Sequence, residues 1–228
     1  MKKLAIILII LSSLSASTKV AIVMKVKGEA SVFYNELNTK KALKPGIPLN
    51  NKDKVQTGKN GFVAIMYLDD KTVIKILNGS DMIVLGDRIN NQINKSLDIK
   101  YGKIAASVSP QKGEEFRIST PTSVASVKGT KLAISVPQMN QSGLSTGDSF
   151  TLIEGLIEVT NNITGESIEV AEGETATSTP EGSLEVNQTT TDDLQGFEEA
   201  EIEILTQELR FEIEDQDGDI KEIIIKFQ

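Results

Sequence analysis

The punctuation of the apolar runs constrains this chain more than any other feature. Between Val20 and Ser178, short runs rich in Val, Ile, Thr, Phe and Tyr recur, and Gly, Asn, Asp or Pro stands in nearly every gap. Segments such as 62–68 (FVAIMYL), 72–77 (TVIKIL) and 131–136 (KLAISV) alternate or stay apolar throughout, as strands do, and the body sustains no 3.6-residue period. The expected strands are 20–26, 30–34, 62–68, 72–77, 82–85, 96–100, 103–108, 115–119, 124–127, 131–136, 149–153, 156–161, 167–171 and 174–178. Asp69-Asp70-Lys71 reads as a hairpin turn. So many short strands imply an all-β fold: a β-sandwich, a β-roll, or a short solenoid-like stack of strands. No fixed period marks a true repeat array.

Composition removes most catalytic options. The 228 residues contain no His and no Cys, which excludes imidazole acid/base chemistry, thiol nucleophiles, disulfides and zinc sites built from those ligands. The carboxylate pairs Asp69/Asp70 and Glu114/Glu115 sit at expected turns, and neither is read as having a basic or aromatic partner that would tune it. Adjacent strand residues also point to opposite faces, so neither pair converges by itself. The chain therefore reads as noncatalytic, with no cofactor and no metal. A net charge of −8 argues against nonspecific nucleic-acid binding.

The N-terminus has the layout of an export signal. Lys2 and Lys3 precede a wholly apolar stretch from Leu4 to Leu11, and Ser15-Ala16-Ser17 supplies the small residues of a cleavage site. The apolar core is shorter than the about 20 residues that span a bilayer. The mature chain is expected in the periplasm or outside the cell, with no stable membrane insertion once the signal is removed.

The most specific motif lies in the string FRISTPTSVASVKGTKLAISV, residues 116–136. Thr120-Pro121 ends one strand, a short apolar strand follows, and Gly129-Thr130 opens another. This string resembles the core signature of the FecR-like domain family. The flanks are similar in order and spacing: LNNKDKVQTG (49–58), FVAIMYLDDKTVIKI, Tyr101-Gly102-Lys103, IEGLIEVTN and TGESIEVAEGETATS. The resemblance covers roughly residues 24–178. It implies a noncatalytic exported β module that binds proteins. The family's best-known members are membrane regulators of sigma factors with a cytoplasmic segment. A cleaved signal here would leave nothing in the cytoplasm, so only the exported module carries over. The backbone chemistry of Pro121 and Gly129 marks Thr120, Pro121, Gly129 and Thr130 as fold-forming residues.

Charge is unevenly spread. Residues 18–112 carry 16 basic and 8 acidic side chains, residues 113–191 carry 3 and 11, and residues 192–228 carry 3 and 13. The expectation is that basic and acidic strands pair within one body. Thr191 is placed to cap a helix over 192–205, and Asp215-Gln216-Asp217-Gly218-Asp219 reads as the turn of a hairpin over 209–227 because its spacing fails a calcium loop. The chain thus divides into a signal peptide at 1–17, a FecR-like all-β domain at 18–178, a polar linker at 179–191 and an acidic helix and hairpin at 192–228. The expected partner is an envelope protein. A carbohydrate or surface-polymer module is the alternative, though the absence of Trp leaves only Tyr34, Tyr67 and Tyr101 as strong sugar platforms.

Overall fold

The computed structural model describes residues 19–35, 37–89, 92–111, 115–138 and 147–197, and the backbone of 208–214 and 220–226. The chain lays its strands alternately on two sheets. β1 (Lys19–Lys27) enters sheet A, and the hairpin of β2 (Ala30–Tyr34) and β3 (Thr39–Ala42) enters sheet B. β4 (Pro48–Asn50) returns to A and β5 (Lys54–Thr57) to B. The hairpin of β6 (Phe62–Tyr67) and β7 (Val73–Ile76) lies in A. β8 (Asp81–Ile89) and the first half of β9 (Gln92–Val108) lie in B, while the second half of β9 crosses into A. Four hairpins then alternate between the sheets. β10 (Phe116–Ser119) and β11 (Ser123–Val127) join B, and β12 (Thr130–Val136) and β13 (Asp148–Glu154) join A. β14 (Leu156–Asn161) and β15 (Ser167–Ala171) join B, and β16 (Glu174–Ser178) and β17 (Leu184–Gln188) join A.

From β6 in one layer and β5 in the other, strand order follows the chain; before them β4 lies outside β1 and β3 outside β2. Sheet A runs β4-β1-β6-β7-β9-β12-β13-β16-β17, and sheet B runs β3-β2-β5-β8-β9-β10-β11-β14-β15. Among the described residues every pairing is antiparallel except β9 with β10. Of the three architectures left open by the sequence, the sandwich and the solenoid-like stack are thus combined: two packed layers, wound progressively like a solenoid. No α-helix occurs among the described residues.

β9 fastens the layers covalently. The sequence breaks it at Gly102, but the strand continues through, with Gly102 at φ 111°. A Cβ there would run into the Ser80 side chain, so only glycine lets the strand pass from one sheet to the other. Inward residues of both sheets form one core, in which Tyr67, Phe116 and Phe150 are the bulkiest fully buried side chains. Tyr67 of sheet A meets Phe116 of sheet B edge to face, with centroids 5.8 Å apart.

Four strands escaped the sequence reading. β3 is exposed at all four positions and β4 has three residues, so neither shows an apolar period. β5 buries little beyond Val55 and Thr57. β17 lies inside the expected polar linker; it is an edge strand with both faces partly open, so its composition stays polar.

Residues 192–197 are turns, which corrects the start of the expected helix; the rest of it lies outside the described residues. The cap forms one residue early, where Thr190 N–H and Oγ1 both donate to Asp193 Oδ2 at 2.8 and 2.7 Å. Gly196, at φ 86°, then breaks any helical continuation. Phe197 is buried on the outer face of sheet A against Leu77 and Ala133, with Lys103 Nζ 5.6 Å from its ring. The expected C-terminal hairpin is present as β18 (Glu208–Glu214) paired antiparallel with β19 (Ile220–Lys226). The Asp215–Asp219 turn, the burial of the hairpin's side chains and the signal segment lie outside the described residues.

The expectation that basic and acidic strands pair is overturned. Winding hairpin by hairpin keeps sequence neighbours adjacent in space, so the basic first half and the acidic second half occupy opposite ends of the stack.

Candidate functional site

The signature residues sit at the seam between the layers. Thr120 closes the β10–β11 turn: its Oγ1 accepts from Ser123 N–H at 3.1 Å, and its N–H donates to Ser123 O at 2.8 Å. Pro121 is exposed at the turn tip, where its fixed φ suits the bend. The turn is clamped across to sheet A. Thr122 N–H and Oγ1 donate to Asp148 Oδ2 at 2.9 and 2.6 Å, and Asn161 Nδ2 donates to Ser178 Oγ at 2.9 Å. Thr122, Asp148, Asn161 and Ser178 are all buried. Gly129, at φ 147°, lies at the β11–β12 crossing, and a Cβ there would stand 3.1 Å from Pro110 Cα. Thr130 is buried beside it. Thr120 and Thr130 thus belong to two separate turns, and neither pair forms a cleft. Sequence reading missed Thr122, Asp148, Asn161 and Ser178, because hydroxyls and amides in a Ser/Thr/Asn-rich chain announce nothing until the layers bring them together.

A second clamp overturns the reading of Asp69/Asp70 as unpartnered. Lys95 of sheet B is buried, and its Nζ lies 2.7 Å from Asp69 Oδ2 and 3.0 Å from Asp70 Oδ2 in the β6–β7 turn of sheet A. The alternation argument fails because the two carboxylates stand in a turn, where successive side chains can converge. Lys95, 26 residues away, was invisible as a partner. Ile93 N–H also donates to Asp69, and Thr72 N–H and Gln111 Nε2 donate to Asp70. Burial acts to raise the Asp70 carboxyl, but hydrogen bonds from Thr72, Gln111 and Lys95 outweigh it and hold the group below its ordinary value. Burial first, and the nearby Asp69 and Asp70 charges second, push the Tyr67 phenol well up. Its hydroxyl is spent on the Leu85 and Ser96 carbonyls at 3.1 and 3.0 Å. Glu115 also has a partner, Lys128, at 3.3 Å on the surface.

Above this clamp, sheet B carries a groove of about 610 Å³ at the parallel β9–β10 junction. Leu85, Ser96 and Arg117 form one cross-strand row on its floor, and Asp87 and Asn94 begin the next. Asn51, Lys52, Gly86, Lys95 and Glu115 complete the lining. Asn51 Nδ2 donates to Asp87 Oδ1 at 3.0 Å, and Asn51 Oδ1 accepts from Gly86 N–H at 3.1 Å, which fixes one wall. The groove offers separate cationic, anionic and amide groups for binding. It holds no nucleophile beside a base, and Lys95 is committed to two carboxylates. Among the described residues no group of three or more carboxylates gathers as a metal site would require.

The family model described as FecR protein matches residues 53–158, which include the Lys95 clamp, the Thr122–Asp148 contact, the signature turns and most of the groove. Over that stretch the chain is similar to the FecR family. Two crystal structures of a protein provisionally described as an anti-sigma factor, from Parabacteroides distasonis, are similar at 16% identity, with TM-scores of 0.49 and 0.51. They align with 63% of this chain and with 65% and 64% of their own, so the chain spans just under two thirds of those solved chains. At that identity the second likeness speaks for the fold alone. No curated protein matches the sequence. Among the described residues, no helix is long and apolar enough to cross a membrane.

Proposed function

We propose that this chain is an exported, noncatalytic FecR-like module that binds an envelope protein in a sensing or scaffolding role. The groove at the β9–β10 junction carries the reading. It is polar, built on a floor pinned to the other sheet by the Lys95 clamp, and it presents binding groups without a reactive one. The description of the similar solved protein as an anti-sigma factor supports a regulatory setting. The signal-like N-terminus supports export. The four signature residues then serve the fold: their side chains and backbones form turns and interlayer contacts and do not line the groove. A carbohydrate role finds less support, since no Tyr lines the groove and Tyr67 is fully buried.

The test is affinity capture from the envelope of the source cells, comparing the native chain with the groove variant Lys52→Glu/Arg117→Glu. A partner held by the native chain and lost by the variant supports the reading. Equal capture by both rejects the groove as the docking site.

A further inference from the structure

The two ends of sheet B are unpaired edges of opposite charge. β3 pairs with β2 alone and β15 with β14 alone among the described strands. β3 reads Thr39-Lys40-Lys41-Ala42, is exposed throughout, and is followed by Lys44. β15 reads Ser167-Ile168-Glu169-Val170-Ala171 and is flanked by Glu166 and Glu172. Lysines or glutamates on an edge ordinarily block strand addition by repelling a copy of themselves. Here each edge repels itself and attracts the other.

Three further observations point the same way. In register, Glu158 of β14 lies directly opposite Glu169 of β15, a like-charge pair that an incoming cation would relieve. Three of the four exposed large aliphatic side chains among the described residues lie at the same two hairpins: Leu37 in the β2–β3 turn, Ile163 in the β14–β15 turn and Leu156 at the start of β14; the fourth is Leu68 in the β6–β7 turn. Strand direction also fits. Nine strictly antiparallel strands would leave the first and last running the same way. The parallel β9–β10 step reverses that parity, so β3 and β15 run opposite to one another. A second copy related by translation along the sheet therefore presents β15 antiparallel to β3, the more favourable pairing.

We propose that copies of this chain associate head to tail, with β15 of one copy adding to β3 of the next and Lys40 facing Glu169. The contact is heterologous, so it extends into open chains of molecules unless its rotation closes a ring. Sheet A does not take part at the same junction, because β4 is three residues long and begins with Pro48.

Sedimentation of the full chain against concentration, at low salt and at about 1 M salt, tests this, since 1 M salt screens charges beyond about 3 Å. The mass should grow with concentration at low salt and fall back at high salt. Lys40→Glu and Glu169→Lys should each weaken association by roughly tenfold, as reversal of a facing charge does. The chain carrying both changes should regain it, because each junction then pairs the swapped charges. A chain that stays monomeric at low salt overturns the proposal. So does association that both single variants leave unchanged, or that the double variant fails to restore; melting curves of the variants confirm that the fold is intact.

Discussion

Two turns reach across the same seam, and they are held by opposite chemistry. At the β6–β7 turn the carboxylates Asp69 and Asp70 lie on the turn, and a buried lysine waits on the other sheet. At the β10–β11 turn the Thr122 hydroxyl and N–H lie on the turn, and the carboxylate of Asp148 waits on the other sheet. The first clamp balances charge with charge. The second satisfies one carboxylate oxygen with neutral donors; in both clamps one oxygen, Asp69 Oδ1 or Asp148 Oδ1, is buried without a hydrogen-bond partner. A buried ion pair adds little net stability but fails badly when one partner is removed, whereas losing the Thr122 hydroxyl takes one hydrogen bond from Asp148 and leaves the N–H bond in place. The ionic clamp should therefore be the more brittle, and it lies beneath the groove.

Replacing Lys95 with Met tests this most severely. It leaves two buried carboxylates without their cation and should cost about 3–5 kcal/mol. Chemical denaturation reads the loss, and a change below that of Thr122→Val would reverse the ranking of the clamps. Gly129→Val forces a β-branched side chain into a left-handed backbone against Pro110 and should cost roughly 1–3 kcal/mol from strain alone. An unchanged melting midpoint would give Gly129 a role outside the fold. Thr122→Val removes hydroxyl bonds to Asp148 and to the Ser178 carbonyl at 3.0 Å. It should cost about 1–3 kcal/mol, at the lower end because the N–H bond to Asp148 remains.

The smallest effect separates the clamps by pH. The Asp70 carboxyl is depressed in the fold, so its contribution is fully present above its ordinary value of 3.8. It is lost as pH falls through the lower folded value. Native stability should decline in that acidic window, and Asp70→Asn should flatten the decline while Thr122→Val leaves its slope unchanged. Equal slopes for native and Asp70→Asn chains would remove Asp70 from the account.

Much of the candidate site was hidden for reasons these clamps illustrate. The strands of the core were legible because burying one or both faces imposes alternation or continuous apolarity, and the turns were legible because Gly, Asn, Asp and Pro solve local backbone problems. Thr120-Pro121 and Gly129-Thr130 were visible for that reason. Asp148 and Lys95 were not, because each makes its bonds to a residue more than twenty positions away. The exposed edge β3 was missed because an edge strand open to water keeps no apolar face.

The sequence by itself determined the strands that bury an apolar face, the absence of thiol and imidazole chemistry and the charge of each segment, because these are local properties of residues in order. Only the tertiary structure decided that the basic and acidic segments lie at opposite ends and that Lys95 answers two carboxylates. It alone placed one parallel step so as to set the edges of sheet B against each other. Pairing and direction are long-range choices, fixed by which hairpin crosses to which sheet, and no residue carries that information alone.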